Sequence, residues 1–389
     1  MLAARLRDSV FRGTTHGGTP RIGAEVELIP LDAMSCHVVS VDDRLMPMLR
    51  THAAANGWTV RTSAKGVPRF VLPHGGAVTF EPGGQLEYAT PPFPTPGALL
   101  ADLDAVLEPL IAAAATAGIT LTSAGIDPHN TIDRVPLQLD SPRYRAMDAY
   151  LARIGPAGAV MMRQTASIQI NVDAAADPLA TWRVLNAAAP CLTAVFANSS
   201  RYAGGDSGHA SYRAWMWRLL DVARTGTFRC THDPADEYAA FALRAPVIAM
   251  QTAEGQHRSL EEWLARADVP ADAVDEHLST LFPEVRPKGY FEVRSIDTIP
   301  IRWLAAPILL LAGMVLDETS VHACEELLGP PDPGLLVCAG TIGLDEPRIR
   351  AVAMPLVELA MQGCERKGEA FCSVDQRDRA AEFFDRLPG

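Results

Sequence analysis

Apolar and polar residues alternate with a period of two along five short stretches of the chain: Arg21–Leu28, Ala77–Glu81, Gln85–Tyr88, Ser167–Val172 and Tyr290–Arg294. That period predicts strands whose side chains point to opposite faces. Glu25 and Glu27 then face one way while Ala24, Val26 and Leu28 face the other. The same reading pairs Gln85 with Glu87, Gln169 with Asn171, and Glu292 with Arg294. Further strands are expected at Trp58–Thr62, at Arg69–Leu72 running into Ala77–Glu81, and at Ile119–Gly125.

Helical spacing of apolar residues predicts a short helix over residues 1–12. It predicts a strong one from Leu99 to the stop at Gly118, with Leu99, Leu103, Val106, Leu107 and Leu110 on one side. Ser141-Pro142 opens another as N-cap and first-turn proline. Others are expected at Leu179–Asn198, Tyr212–Arg224 and Leu260–Arg266, and at about 303–316, 319–328, 346–363 and 374–386. Loops are expected at Asp127–Asp140, Gly204–Gly208, Ala253–His257 and Pro283–Lys288. Hairpin-like strands followed by runs of helices predict an α+β fold, an antiparallel sheet with helices packed on one side. It is read as a single domain over residues 1–389, with a helical part from about residue 303.

If the five alternating strands share a sheet, one face is oily and the other carries a cluster of carboxylates. Such a cluster repels itself unless cations neutralise it. Magnesium takes oxygen ligands from a few carboxylates, phosphate oxygens and water. Glu25, Glu27, Glu81, Glu87 and Glu292 supply the acids, and Gln169 a neutral oxygen. Arg294, two residues beyond Glu292, faces the same way and suits phosphate. Two or three metal ions around a triphosphate fit that set. A solvated strand face is the readier account of any single Glu-x-Glu, and the poorer one of five such strands together.

The net charge of −12 and the lack of a basic run argue against sequence-independent nucleic-acid binding. Seven scattered cysteines without a CxxC point to free thiols in a reducing compartment. The charged, amphipathic N-terminus does not read as a signal peptide. The apolar run Trp303–Leu316 is shorter than the roughly 20 residues of a bilayer span and reads as a core helix. The expectation is a cytoplasmic protein, monomer or homodimer, with small-molecule substrates and neither nucleic-acid nor membrane partners.

Three segments carry a family resemblance: Ile22-Gly23-Ala24-Glu25-Val26-Glu27, Phe80-Glu81-Pro82-Gly83-Gly84-Gln85-Leu86-Glu87, and Met161 through Gln164-Thr165 to Gln169-Ile170-Asn171-Val172-Asp173. With Ser141–Met147, Phe196–Ser199, Arg224-Thr225-Gly226 and Tyr290–Asp297, they resemble glutamate–cysteine ligase of the plant and proteobacterial type. The resemblance implies a glutamine-synthetase-like fold, a curved antiparallel sheet holding ATP and Mg²⁺ on its concave face. It implies that a γ-carboxylate becomes an acyl phosphate, which the amine of a second amino acid then attacks. Activating a carboxylate this way needs metal and arginine charge.

By position, Glu25, Glu27, Glu81, Glu87, Gln169 and Glu292 are the implied metal shell. Glu87 and Arg294 carry the catalytic expectation, and Arg294 the nucleotide phosphate. Gln169 stands where some related ligases use histidine. A glutamate α-carboxylate calls for a fixed arginine; Arg213 is the first candidate, with Arg145 and Arg163 as alternatives. Trp217 is placed as a pocket wall one turn beyond Arg213, and Tyr144, Thr165 and Asn171 as pocket groups. Ala166-Ser167-Ile168 replaces the family's usual Cys-Thr-Val, so fold and phosphate chemistry transfer better than substrate identity. Joining a different amino-acid pair, or non-catalytic nucleotide binding, are the competing readings.

Overall fold

The computed structural model describes residue 4 and residues 18–62, 67–174, 177–266 and 269–388. The helix expected over residues 1–12 lies outside them except for Ala4.

The alternating segments become strands of one antiparallel sheet: β1 (Ile22–Asp32), β2 (Thr59–Thr62), β3 (Pro68–Val71), β4 (Ala77–Phe80), β5 (Leu86–Ala89), β6 (Ile119–Thr122), β7 (Ser167–Val172), β8 (Val285–Pro287) and β9 (Phe291–Asp297). Their order is β8-β9-β7-β1-β5-β4-β3-β2, with β6 also paired to β1. The five strands read as acidic are therefore consecutive in space, β9-β7-β1-β5-β4. The run expected from Arg69 through to Glu81 is instead two strands, because Pro73 and Gly75, at φ 102°, turn the chain between β3 and β4.

Register fixes which groups meet. Glu27 lies opposite Glu87 and Glu25 opposite Ala89 on β5. On the other side Glu25 lies opposite Gln169, and Asn171 opposite Glu292. Strand β9 carries one extra residue: Val293 pairs with Ile170 but Ile296 with Ile168. This bulge re-phases the strand. Glu292 and Arg294 share the acidic face before it, Asp297 regains that face after it opposite Ser167, and Val293 and Ile296 both stay in the core.

The oily face holds Val26, Leu28, Ile168, Ile170, Val172, Val293 and Ile296, all fully buried. Helices cover it: α2 (Pro96–Thr116), α5 (Pro178–Val195) and α10 (Ala305–Val315) contribute Leu103, Leu107, Leu192 and Leu309 to the same core. Every residue of α10 is buried, which accounts for the apolar run near residue 303. No single helix among the described residues is long and apolar enough to cross a membrane. The acidic face is closed by α3 (Pro142–Ala152), α4 (Ala157–Gln164), α6 (Tyr212–Arg218) and the segment 279–288. Other helices are α1 (Met46–Ala55), α7 (Pro234–Arg244), α8 (Leu260–Leu264), α9 (Ala271–Ser279), α11 (Glu318–Leu328), α12 (Pro333–Thr341), α13 (Pro347–Lys367) and α14 (Val374–Phe384). The pattern did not announce α1, α4, α7, α9 or α12.

The turn Pro82-Gly83-Gly84 places Glu81 at the end of β4. A Cβ on Gly83 would lie 2.0 Å from the Arg163 carbonyl oxygen, and Gly84 has φ 93°. Gln85 fastens the turn: its Oε1 accepts from Gly83 N at 3.0 Å and its Nε2 donates to the Thr165 carbonyl at 2.9 Å. Gly83→Ala is therefore expected to destabilise the protein by about 2 kcal/mol, read as a lower urea midpoint. An unchanged midpoint would refute the close approach.

Candidate active site

A cavity of ≈ 160 Å³ opens on the acidic face. Its floor is the sheet: Glu25 and Glu27 from β1, Glu87 from β5, Gln169 from β7 and Arg294 from β9, with Glu81 following β4. Its walls bring Arg143, Tyr144 and Met147 from α3, Met161 and Met162 from α4, and Arg213 and Trp217 from α6. Ser279, Phe282 and Arg286 close it from the segment before β9.

Carboxylate oxygens of Glu27, Glu81 and Glu87 all lie within 4.8 Å of one another. Burial raises all four nearby carboxyls, Glu25, Glu27, Glu81 and Glu87. Mutual repulsion adds to burial at three of them. Glu292 pushes Glu25 up further, Glu27 helps push Glu81 to about 8, and Glu25 and Glu81 push Glu87 well above the usual range. Glu27 has the most hydrogen bonds, accepting from Ser167 N at 2.6 Å, Ser167 Oγ at 3.2 Å and Gln169 Nε2 at 3.1 Å. Converging, mutually repelling carboxylates of this kind, Glu27 buried and Glu81 and Glu87 half-buried, suit a hard divalent cation. These three side chains could hold one.

Glu292 is set apart from that trio. It is fully buried and clamped by Arg286 at 2.6 Å, Lys288 at 2.6 Å and Arg294 at 2.5 Å. Burial alone would raise its carboxyl, but Arg286, Arg294 and Lys288 outweigh it and hold the group well below the usual carboxylate range. Gln169 is fixed between the two groups: its amide nitrogen donates to Glu27 and its oxygen accepts from Arg294 Nη1. Asn171 donates to Glu25 at 3.2 Å and does not line the cavity.

Arg213 is buried and lines the cavity. Its Nη2 donates to the Arg294 carbonyl at 2.8 Å, and its Nη1 is 3.6 Å from Asp297. Asp297 is itself held by Asn198 N at 2.9 Å, Ser199 Oγ at 2.6 Å and Ser211 Oγ at 3.0 Å. Trp217 lies beside both cations, 5.7 Å from the Arg213 guanidinium and 5.6 Å from that of Arg294. Thr165 lines the cavity from the C-cap of α4, just before β7 begins, with its hydroxyl on the Met161 carbonyl at 2.6 Å.

The other two candidate arginines are elsewhere. Arg145 is exposed and pairs with Asp140 at 2.5 Å; Arg163 pairs with Asp148, and neither lines the cavity. For Arg145 the reason is helical phase. Arg143 and Met147 lie four residues apart on the inward side of α3, and Arg145 lies two residues off that line. Arg143, Arg286 and Lys288 were not anticipated. Arg286 and Lys288 sit in the segment Pro283–Lys288, which reads as a loop. Val285–Pro287 within it is instead edge strand β8, where proline is tolerated, and Lys288 follows directly after. Their two-residue spacing, matching Glu292 and Arg294, was the available signal.

An antiparallel sheet with a helix-covered back and an acidic cavity on its other face is an arrangement shared with a solved ligase. The crystal structure of glutamate–cysteine ligase (gshA) from Francisella tularensis, in complex with AMP, aligns over 94% of this chain and 82% of its own, with a TM-score of 0.53 and 11% identity. Residues 21–332 match glutamate-cysteine ligase family 2 (GCS2), and the chain belongs to that family. Glutamate–cysteine ligase EgtA of Mycolicibacterium smegmatis is 32% identical over 342 residues, spanning 81% of this chain and 79% of the relative. The chloroplastic glutamate–cysteine ligase of Arabidopsis thaliana is 30% identical over 316 residues, 75% of this chain and 60% of the relative.

Because the folded-state carboxyls are raised, their contribution to the stability of the metal-free protein is fully present below about pH 4.5 and is lost as pH rises through about 8. A cation competes with those protons. Titration of Mg²⁺ or Mn²⁺ at pH 7, followed calorimetrically in buffers of different ionisation enthalpy, is expected to show proton release that shrinks above pH 8. Binding without proton release at pH 7 would refute the raised carboxyls.

Proposed function

We propose that the protein is an ATP-dependent glutamate–cysteine ligase, converting glutamate, cysteine and ATP to γ-glutamylcysteine, ADP and phosphate. The observation that carries this reading is one small cavity with a carboxylate trio, Glu27, Glu81 and Glu87, and guanidinium groups on its other sides. Family membership and the names of the relatives support the choice of substrates.

Glu27, Glu81 and Glu87 would hold Mg²⁺, with Glu25 beside them; bound there, the ion would screen the triphosphate charge and polarise the transferred phosphoryl group. The remaining chemistry belongs to this chain's cations. Arg294 is fixed by Glu292 and Gln169 and presents its charge to the cavity, where it would meet the γ-phosphate and the acyl phosphate formed from it. Arg286 adds a second guanidinium on the same side. Arg213, rigid through Asp297, would take the glutamate α-carboxylate and hold the γ-carboxylate in line for attack. The amine of the second amino acid would then displace phosphate and form the amide. These groups stabilise charge where it develops rather than reacting covalently.

A second reading keeps the chemistry and changes the amino-acid pair. Ser167, which lines the cavity and donates to Glu27, belongs to the Ala-Ser-Ile that stands in place of Cys-Thr-Val.

Purified protein with ATP, Mg²⁺ and glutamate is expected to release ADP and form a product of γ-glutamylcysteine mass on addition of cysteine. ADP release with only another pair of amino acids would favour the second reading. ATP binding without turnover on any pair would overturn both. Glu27→Gln and Glu87→Gln are each expected to lower kcat by at least about 10²-fold with an unchanged circular dichroism spectrum. Near-normal turnover in either would sink the metal assignment.

A further inference from the structure

The cations around the cavity are not equivalent. Arg286 and Arg294 are ion-paired with Glu292, and Arg213 faces Asp297. Arg143 lines the same cavity without an ion-pair partner among the described residues. Its Nη2 donates to the Ser279 carbonyl at 3.2 Å, its Nε is buried without a hydrogen-bond partner, and its guanidinium lies 5.5 Å from the Tyr144 ring centre. A guanidinium held this way keeps donors for an incoming anion.

The surroundings say which anion. Met147 follows one turn later on α3, and Met161 and Met162 come from α4. These three and Phe282 are buried members of one apolar cluster that reaches the cavity surface. A nucleotide phosphate would be poorly matched to three thioethers and a phenyl ring. An amino acid suits them, with its carboxylate on the arginine and a small side chain among soft, polarisable sulfur atoms. The position also suits the chemistry, since Arg143 is the cation that acts most strongly on Glu81 of the carboxylate trio. An amino acid bound there would present its amine toward the reacting centre.

We propose that Arg143 binds the carboxylate of the acceptor amino acid and that Met147, Met161, Met162 and Phe282 form the pocket for its side chain. This rests on the ligase reading above. The pocket selects a thiol or a small apolar group and rejects a hydroxyl, which would lose its water and find no partner.

The test compares substrates across variants by ADP release at saturating ATP and glutamate. In the unaltered protein, replacing cysteine by cysteamine, which lacks the carboxylate, is expected to lower kcat/KM by about 10²-fold. In Arg143→Met the same replacement should cost less than about 3-fold, because the partner is gone. KM for glutamate and ATP should stay within about 3-fold of normal, and Arg143→Lys should recover part of the cysteine rate. A cysteamine penalty undiminished in Arg143→Met, or a rise confined to the KM of glutamate or ATP, would overturn the assignment while leaving the ligase reading intact. Absence of amine-dependent ADP release in the unaltered protein would remove both. For the side-chain pocket, Met147→Gln is expected to narrow the preference for cysteine over serine by about 10-fold, and an unmoved ratio would overturn that part. Should Arg143→Met fold poorly, the Lys variant and direct calorimetric binding of cysteine against cysteamine to the unaltered protein decide the same question.

Discussion

Like charges on one face of a sheet govern this structure. The strand order β9-β7-β1-β5-β4 and its register set Glu27 opposite Glu87, with Glu25 on the same strand as Glu27. Burial makes that repulsion expensive, since at low effective dielectric unpaired carboxylates cannot all ionise. The protein answers in two ways. Around Glu292 it supplies its own cations, Arg286, Lys288 and Arg294. Around Glu27, Glu81 and Glu87 it leaves the charge unbalanced, and the pKa of Glu81 rises to about 8. An unbalanced cluster is tolerable only because the opposite face is anchored by a large apolar core packed on helices.

The division has a chemical logic. Internally compensated groups are rigid, because moving any one of them strands a buried charge. Arg294 gains fixed geometry from Glu292 and Gln169, and Arg213 gains it from Asp297 with its seryl and backbone donors. The uncompensated trio and the unpaired Arg143 are the parts whose electrostatics improve when something binds. Pre-organised and waiting charges thus occupy different sides of one cavity.

Much of the sheet was legible in the sequence because a period of two is a strong signal when acids alternate with valine, isoleucine and leucine. The faces of Glu25, Glu27, Glu87, Gln169 and Arg294 follow from that period alone. Legibility failed where tertiary context decides. Arg145 and Arg143 are two residues apart on one helix, and only the packing of α3 says which points inward. Strand β8 was hidden by its prolines, which an edge position permits. Helix α4 is short and its polar residues gave no stop signal, although Met161, Met162 and Thr165 at its end reach the cavity. Glu292 looked like its acidic neighbours along the chain, and the lysine and arginines that neutralise it come largely from the segment read as a loop.

The bulge in β9 has a consequence for how this chain can vary. One extra residue between Val293 and Ile296 lets Glu292, Arg294 and Asp297 serve the same side while Val293 and Ile296 serve the other. Side-chain substitutions along that strand change one group at a time. Deleting a single residue there would instead exchange the two faces for everything downstream, turning Asp297 into the oil and Ile296 into the cavity. The strand's length is thus under a harder constraint than its composition. Variation in this enzyme is expected to spread through substitutions and terminal extensions, and to avoid insertions or deletions in the seven residues that carry the bulge.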